Sequence, residues 1–199
     1  MSQNAAINNS VRGAEDAENF YNEFSEHERG FCLEMLSFIK TDPFLSDFYN
    51  RFILECNNIG KVIDKVGGAE NAGARRLLTR LIEKFDSAKS PGEFAMIDSL
   101  FHIELFEITC DTSTADELRK EATEVREKTD NSEGLHGKLW TSISRDPNHK
   151  DMLINSHREI LTSLENRDHK SAITAIQKHF AVVLTHYTQR LHVPRQKKV

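Results

Sequence analysis

Four residues that could bind a metal ion interrupt apolar helical stripes in this 199-residue sequence. Asp98 and His102 are four residues apart, so a helix would place them one above the other on one face. His157 and His179 each interrupt the stripe of another predicted helix, and burying such side chains costs free energy unless a partner satisfies them. If the three helices converge, one carboxylate and three imidazoles create a site for a divalent transition metal. Water or a small carboxylate could complete its coordination.

A purely structural role stays open for the same residues. An acidic residue followed by histidine four positions later also occurs at Glu23 and His27, among charged neighbours that indicate a solvated helix face. A histidine on an apolar face can be a hydrogen-bonded core residue. His186 follows His179 by seven residues, on the inner side of the same predicted helix, and competes for the ligand role.

The elements that must position these residues are predicted to be helices. Apolar residues recur at helical spacing throughout, and no segment alternates as a strand does. We therefore expect an all-α fold, an antiparallel bundle of about six to eight helices with a metal site in its core. The expected helices lie at about 44–66, 77–85, 91–108, 112–129, 139–143, 149–165 and 168–191, with a loop at 131–137.

Local signals fix two of the helix boundaries. The segment 90–93 (SPGE) is a capping box with proline at the first helical position, which predicts a helix start at Pro91. The link 166–168 (NRD) is so short that the last two helices should form an antiparallel hairpin.

Composition and charge exclude several classes of protein. The net charge of −5 resides in residues 1–43, whereas the rest of the chain is neutral. Nucleic-acid binders need clustered cations, and the cluster found here is confined to the short tail 193–199. No apolar run has membrane-spanning length, and the first residues lack the features of a secretory signal. We expect a cytoplasmic protein with no membrane partner.

The surroundings of the four candidate ligands resemble the FCD (FadR C-terminal-like) effector domain of GntR-family transcriptional regulators. The segment 98–102 (DSLFH) is similar to the D-x-x-F-H motif of that domain. The segments 156–160 (SHREI) and 178–180 (KHF) are similar to its final helical hairpin. The resemblance covers about residues 44–192.

This resemblance implies an antiparallel all-helical bundle that binds a metal, with an organic acid often completing the coordination. The implied metal ligands are Asp98, His102, His157 and His179. Arg51 stands with Glu55 in the R-x-x-x-E positions of the first helix. Because a guanidinium pairs well with a carboxylate, Arg51 is a candidate for binding the effector.

We expect three segments along the chain. They are an acidic, partly helical extension at 1–43, an FCD-like metal- and ligand-binding domain at 44–192, and a basic tail at 193–199. The extension shows no wing-like hairpin or recognition helix, so the winged helix-turn-helix of the family is expected to be lacking. DNA contact would then require a partner or a missing domain.

The leading functional prediction is a sensing domain and not an enzyme. It would bind a divalent transition metal of the zinc, nickel or manganese class and a small carboxylate effector, as a homodimer. One alternative is a stand-alone metal-dependent enzyme acting on a small carboxylate, with Glu104 or His186 as base. Another is a helical protein-interaction module whose acidic segment 1–43 docks a partner.

Overall fold

The computed structural model describes residues 43–67, 71–109, 112–131 and 134–190. The helices found there are α1 (Pro43–Val66), α2 (Ala72–Lys84), α3 (Pro91–Ile108), α4 (Thr112–Asp130), α5 (Gly134–Arg145), α6 (Pro147–Glu165) and α7 (His169–Arg190). No strand occurs among the described residues, so the all-α prediction is confirmed. None of the described helices is long and apolar enough to cross a membrane. The acidic extension before residue 43 and the tail 193–199 lie outside the described residues.

The chain divides into two compact units, and the boundary falls inside α1, after Asn57. In the described part of the first unit, Phe52, Ile53 and Cys56 are buried. Cys56 is a free, buried thiol. The second unit begins at Asn58 and contains the remaining helices, including every candidate metal ligand.

Helix α3 is the core helix of the second unit. It packs against α2, α4 and α5, and its start is capped as predicted, because the Ser90 hydroxyl accepts a hydrogen bond from the Glu93 amide at 3.1 Å. The Glu93 carboxylate accepts a bond from the Lys89 amide, one residue earlier than in the usual capping box. The buried side chains of α3 include Phe94, Ala95, Ile97, Asp98, Phe101, His102, Ile103, Leu105 and Phe106.

Helices α6 and α7 form the predicted antiparallel hairpin. Arg167 adopts a left-handed conformation (φ 56°) just after α6. The amide of Asp168 donates to the carbonyl of Ser163 at 3.0 Å, and that of Arg167 donates to Leu164 at 3.2 Å, which together form a Schellman motif. The Asp168 carboxylate then accepts a bond from the amide of Ser171 and caps α7. Each helix thus ends or begins on its own local signal, and the chain reverses within three residues.

One predicted loop is wrong in its second half. The sequence analysis places a loop at 131–137, whereas α5 already begins at Gly134. Glycine lowers helix propensity by roughly 1 kcal/mol relative to alanine, which explains the prediction. Tertiary packing outweighs that preference, because Leu139 and Ile143 of α5 are fully buried. Gly137 is buried as well.

Candidate metal centre

The four predicted ligands, hereafter the four-residue cluster, come together in the core of the second unit. Asp98 and His102 belong to α3, His157 to α6 and His179 to α7. All four are buried, with at most 1% of any residue exposed. Each occupies a core-facing position of its helix, so the apolar stripes that bring the helices together also bring these polar groups together.

The donor atoms of the cluster are close enough to share one ion. Oδ1 of Asp98 lies 3.3 Å from Nε2 of His157, 3.6 Å from Nε2 of His179 and 3.9 Å from Nε2 of His102. The Nε2 atoms of His102 and His179 are 3.0 Å apart. One donor atom from each of the four residues lies within 4.8 Å of the others. The imidazoles therefore direct their Nε2 atoms toward a single carboxylate oxygen.

Hydrogen bonds on the far side of two rings determine which nitrogen carries the proton. Nδ1 of His157 lies 2.9 Å from the carbonyl oxygen of Leu153, and a carbonyl can only accept, so this nitrogen is protonated. The Ser156 hydroxyl donates its one hydrogen to the same carbonyl at 2.6 Å. It must therefore accept from Nδ1 of His179, which is 3.1 Å away. When neutral, both rings consequently present an Nε2 lone pair to the interior.

This arrangement could hold a cation at its centre. A positive charge between the Nε2 lone pairs of His157 and His179 and the Asp98 carboxylate would relieve their mutual repulsion. Among the described residues, no hydrogen bond satisfies the buried Nε2 of His157. Two donors that are each about 2.0–2.2 Å from one ion lie about 2.9–3.6 Å apart. Separations of 3.0, 3.3 and 3.6 Å in the cluster match that spacing, and the 3.9 Å between Asp98 and His102 is slightly longer. The residues present thus fit a divalent metal of the zinc, nickel or manganese class.

The carboxylate of the cluster stays ionised despite its position. Burial raises the pKa of the Asp98 carboxyl, but its hydrogen-bonding contact with His157 and the positive charge that the surrounding imidazoles carry when protonated outweigh burial and hold that pKa well below the usual range. Asp98 therefore supplies one full negative charge in a site with little access to water. That charge offsets half of the charge of a bound dication.

Aromatic side chains enclose the imidazoles. The ring centroid of Phe101 is 4.6 Å from that of His157 at an interplanar angle of 82°, an edge-on contact. Phe85 lies 5.0 Å from the same imidazole, and Phe180 lies 5.4 Å from that of His179. Such packing restricts ring rotation and excludes water, and both effects strengthen electrostatic interactions in the site.

The other predicted site residues lie elsewhere. Nε of Arg51 is 3.0 Å from Oε1 of Glu55, within the first unit, so the R-x-x-x-E pair forms an ion pair. Its role toward an effector stays a prediction. His186 belongs to a separate group with Asp146 and His149 and not to the four-residue cluster. The pKa of Glu104 is raised by partial burial and by neighbouring Glu107.

The comparison with known families agrees with this architecture. The FCD domain matches residues 48–182, about two thirds of the chain and within the predicted domain 44–192. The chain belongs to the FCD family. FCD domains are typically the effector-binding domains of GntR-type transcription regulators, and some of them bind metals. No curated protein and no solved structure matches the chain.

Ser156 is the site residue that the sequence analysis missed, and it can be tested. We expect Ser156→Ala to weaken zinc binding by about 10- to 100-fold, since losing the group that orients a ligating histidine typically has this effect. Ser156→Cys keeps a side chain of similar shape with a weak hydrogen-bonding group. Its zinc affinity should lie between those of the wild type and Ser156→Ala. Competition with a chromophoric chelator measures the affinity. An unchanged affinity in Ser156→Ala would show that the hydroxyl does not position His179.

Proposed function

We propose that this chain is a metal-dependent sensing domain for a small organic acid in a GntR-type regulator. Its membership in the FCD family supports the effector-binding role. The observation that carries the metal requirement is the burial of Asp98 among three imidazoles whose Nε2 atoms lie 3.3–3.9 Å from its Oδ1. A site built only for core packing would not direct several lone pairs at one carboxylate.

The charge of the cluster favours an anionic effector. Asp98 contributes one negative charge, and neutral imidazoles contribute none. When bound, a divalent metal supplies Lewis acidity and leaves a net positive charge that attracts a carboxylate. The apolar walls formed by Phe85, Phe101 and Phe180 exclude water, so an ionised oxygen would be bound more strongly here than at the surface.

The cluster also connects the helices through which a binding signal could travel. His102 on α3, His157 on α6 and His179 on α7 place their donor atoms at the same point between the three helices. A ligand that prefers one arrangement of these helices shifts the population toward it. In this proposal the shift is read out by a homodimer interface, and DNA is contacted through a partner or a separate DNA-binding head.

The two alternative functions differ from this proposal in what they require. An interaction module with a vestigial pocket requires no convergence of histidines, and four buried ligands within 4.8 Å argue against it. A metal-dependent enzyme would use the same centre, so only turnover separates it from a sensor. A sensor releases its acid unchanged.

Calorimetry on metal-stripped and zinc-loaded protein tests the proposal with a panel of small mono-, di- and tricarboxylates. We expect at least one acid to bind the protein loaded with one equivalent of zinc and not the stripped protein. His157→Gln should abolish this binding, whereas His169→Gln, a change at an exposed histidine of α7, should not. Equal binding without zinc would refute the metal requirement. Product appearing in NMR spectra of the incubated acid would favour the enzyme instead.

The Arg51→Lys variant tests, in the same assay, the prediction that Arg51 binds the carboxylate of the effector. Lysine keeps the charge but loses the planar fork that pairs with a carboxylate. The affinity for the acid should fall while the zinc content stays the same. If neither changes, Arg51 serves only its ion pair with Glu55.

A further inference from the structure

A second group of metal-binding side chains lies outside the four-residue cluster. Asp146 and His149 stand at the start of α6, and His186 stands near the end of α7. One donor atom from each lies within 4.8 Å of the others. We propose that this second group is an additional, weaker site for a divalent transition metal. It shares no residue with the four-residue cluster, so it does not depend on the function proposed above.

The two oxygens of Asp146 have different roles. Oδ1 caps α6 by accepting hydrogen bonds from the amides of Asn148 at 3.1 Å and His149 at 3.4 Å. Oδ2 faces the imidazole of His149, 3.1 Å from Nδ1. One carboxylate can therefore begin the helix with one oxygen and offer the other to an ion.

Both imidazoles are placed as ligands. Nε2 of His186 lies 2.8 Å from the hydroxyl of Ser142, the kind of second hydrogen bond that orients a metal-ligating histidine. The His186 residue is fully buried. Nδ1 of His149 forms an ion pair with Oδ2 of Asp146 at 3.1 Å, so the ring and the carboxylate already face each other. The two rings meet edge to face, with centroids 4.4 Å apart.

The chemistry and the surroundings of the group indicate which metals it would take. Two imidazoles and one carboxylate are a donor set for zinc, cobalt or nickel, and three protein ligands leave a position for water. His149 also lines an open cavity of about 380 Å³ between α6 and α7. A metal could thus reach this group from solvent, whereas the residues of the four-residue cluster are at most 1% exposed. Three ligands instead of four, and the positive end of the α6 dipole, make the second site the weaker one.

The two sites would lie along one helical hairpin without interfering. His149 precedes His157 by eight residues on α6, and His186 follows His179 by seven on α7. At about 1.5 Å per residue, the two centres are separated by roughly 10–12 Å along the helix axes. Two ions at that distance do not compete for a ligand.

Equilibrium dialysis against zinc, with elemental analysis of the protein, tests the second site. Wild-type protein stripped by a chelator is expected to bind two equivalents in two separate phases. Asp146→Asn should lose the weaker equivalent while preserving the helix start, because asparagine caps a helix about as well as aspartate. His149→Gln should lose the same equivalent. His157→Gln should lose the tighter one and keep the weaker, and His169→Gln should bind both.

Cobalt provides a second readout, since the visible absorption of the second equivalent should disappear in His149→Gln. Circular dichroism checks that each variant is folded. If the wild type binds a single equivalent that His157→Gln removes, or if the weaker equivalent persists in both Asp146→Asn and His149→Gln, the second site does not exist. A single equivalent in the wild type that His149→Gln removes and His157→Gln keeps would count against the four-residue cluster and not against this group.

Discussion

Replacing Asp98 with asparagine is expected to remove the rise in melting temperature that zinc gives to this protein. Asparagine keeps the shape of the side chain but carries no charge to attract a dication. Metal that binds only the folded state stabilises it by about 4 kcal/mol when free metal exceeds Kd 1,000-fold. For a domain of this size, each kcal/mol raises the melting temperature by about 2–4 °C. The wild type should therefore gain roughly 8–16 °C, and the variant should gain almost nothing.

The comparison needs two controls. It is best made in the His149→Gln background, so that the second group adds no stabilisation of its own. Asp151→Asn is the matched control, because it makes the same chemical change at an exposed position of α6. Scanning calorimetry with and without zinc gives the melting temperatures. A rise in melting temperature with zinc that persists in Asp98→Asn would show that the metal binds elsewhere.

Two helix boundaries could be predicted because their determinants are local. Ser90 and Asp168 cap helices through atoms only three residues away, and such signals are visible in the sequence. The start of α5 at Gly134 could not be predicted in this way. It depends on burial of Leu139 and Ile143 against other helices, and this tertiary term outweighs the low helix propensity of glycine.

The four-residue cluster was predictable for a related reason. Asp98, His157 and the other members interrupt apolar stripes, and a polar residue that must be buried needs a partner. The role of Ser156 was not predictable, because a serine inside a helix ordinarily forms a hydrogen bond to its own helix. Its second contact, to His179, lies 23 residues away. The grouping of Asp146 with His186 was not predictable either, because the two residues are 40 positions apart in the sequence.

Replacing Phe101 with alanine is expected to be among the most destabilising single changes in the second unit. The ring is fully buried and packs edge-on against the imidazole of His157. Removing a buried phenylalanine costs about 3–5 kcal/mol, including the cavity that remains. Domains of this kind are stable by only about 5–15 kcal/mol. Urea unfolding in the presence of a chelator should show this loss, whereas Leu77→Ala, at a residue that is 41% exposed, should change stability far less.

Repeating the urea experiment in saturating zinc separates packing from site positioning. If Phe101 only fills the core, the two losses of stability in chelator and in zinc should be equal. If its ring also holds His157 in place for the metal, the loss in zinc should be larger, and by linkage the difference equals RT times the logarithm of the ratio of zinc affinities. We expect the second result, with a difference of about 1–3 kcal/mol, which corresponds to a 10- to 100-fold weaker affinity. Direct zinc titration of Phe101→Ala must give the same ratio. Equal losses, with an unchanged titration, would limit Phe101 to a packing role.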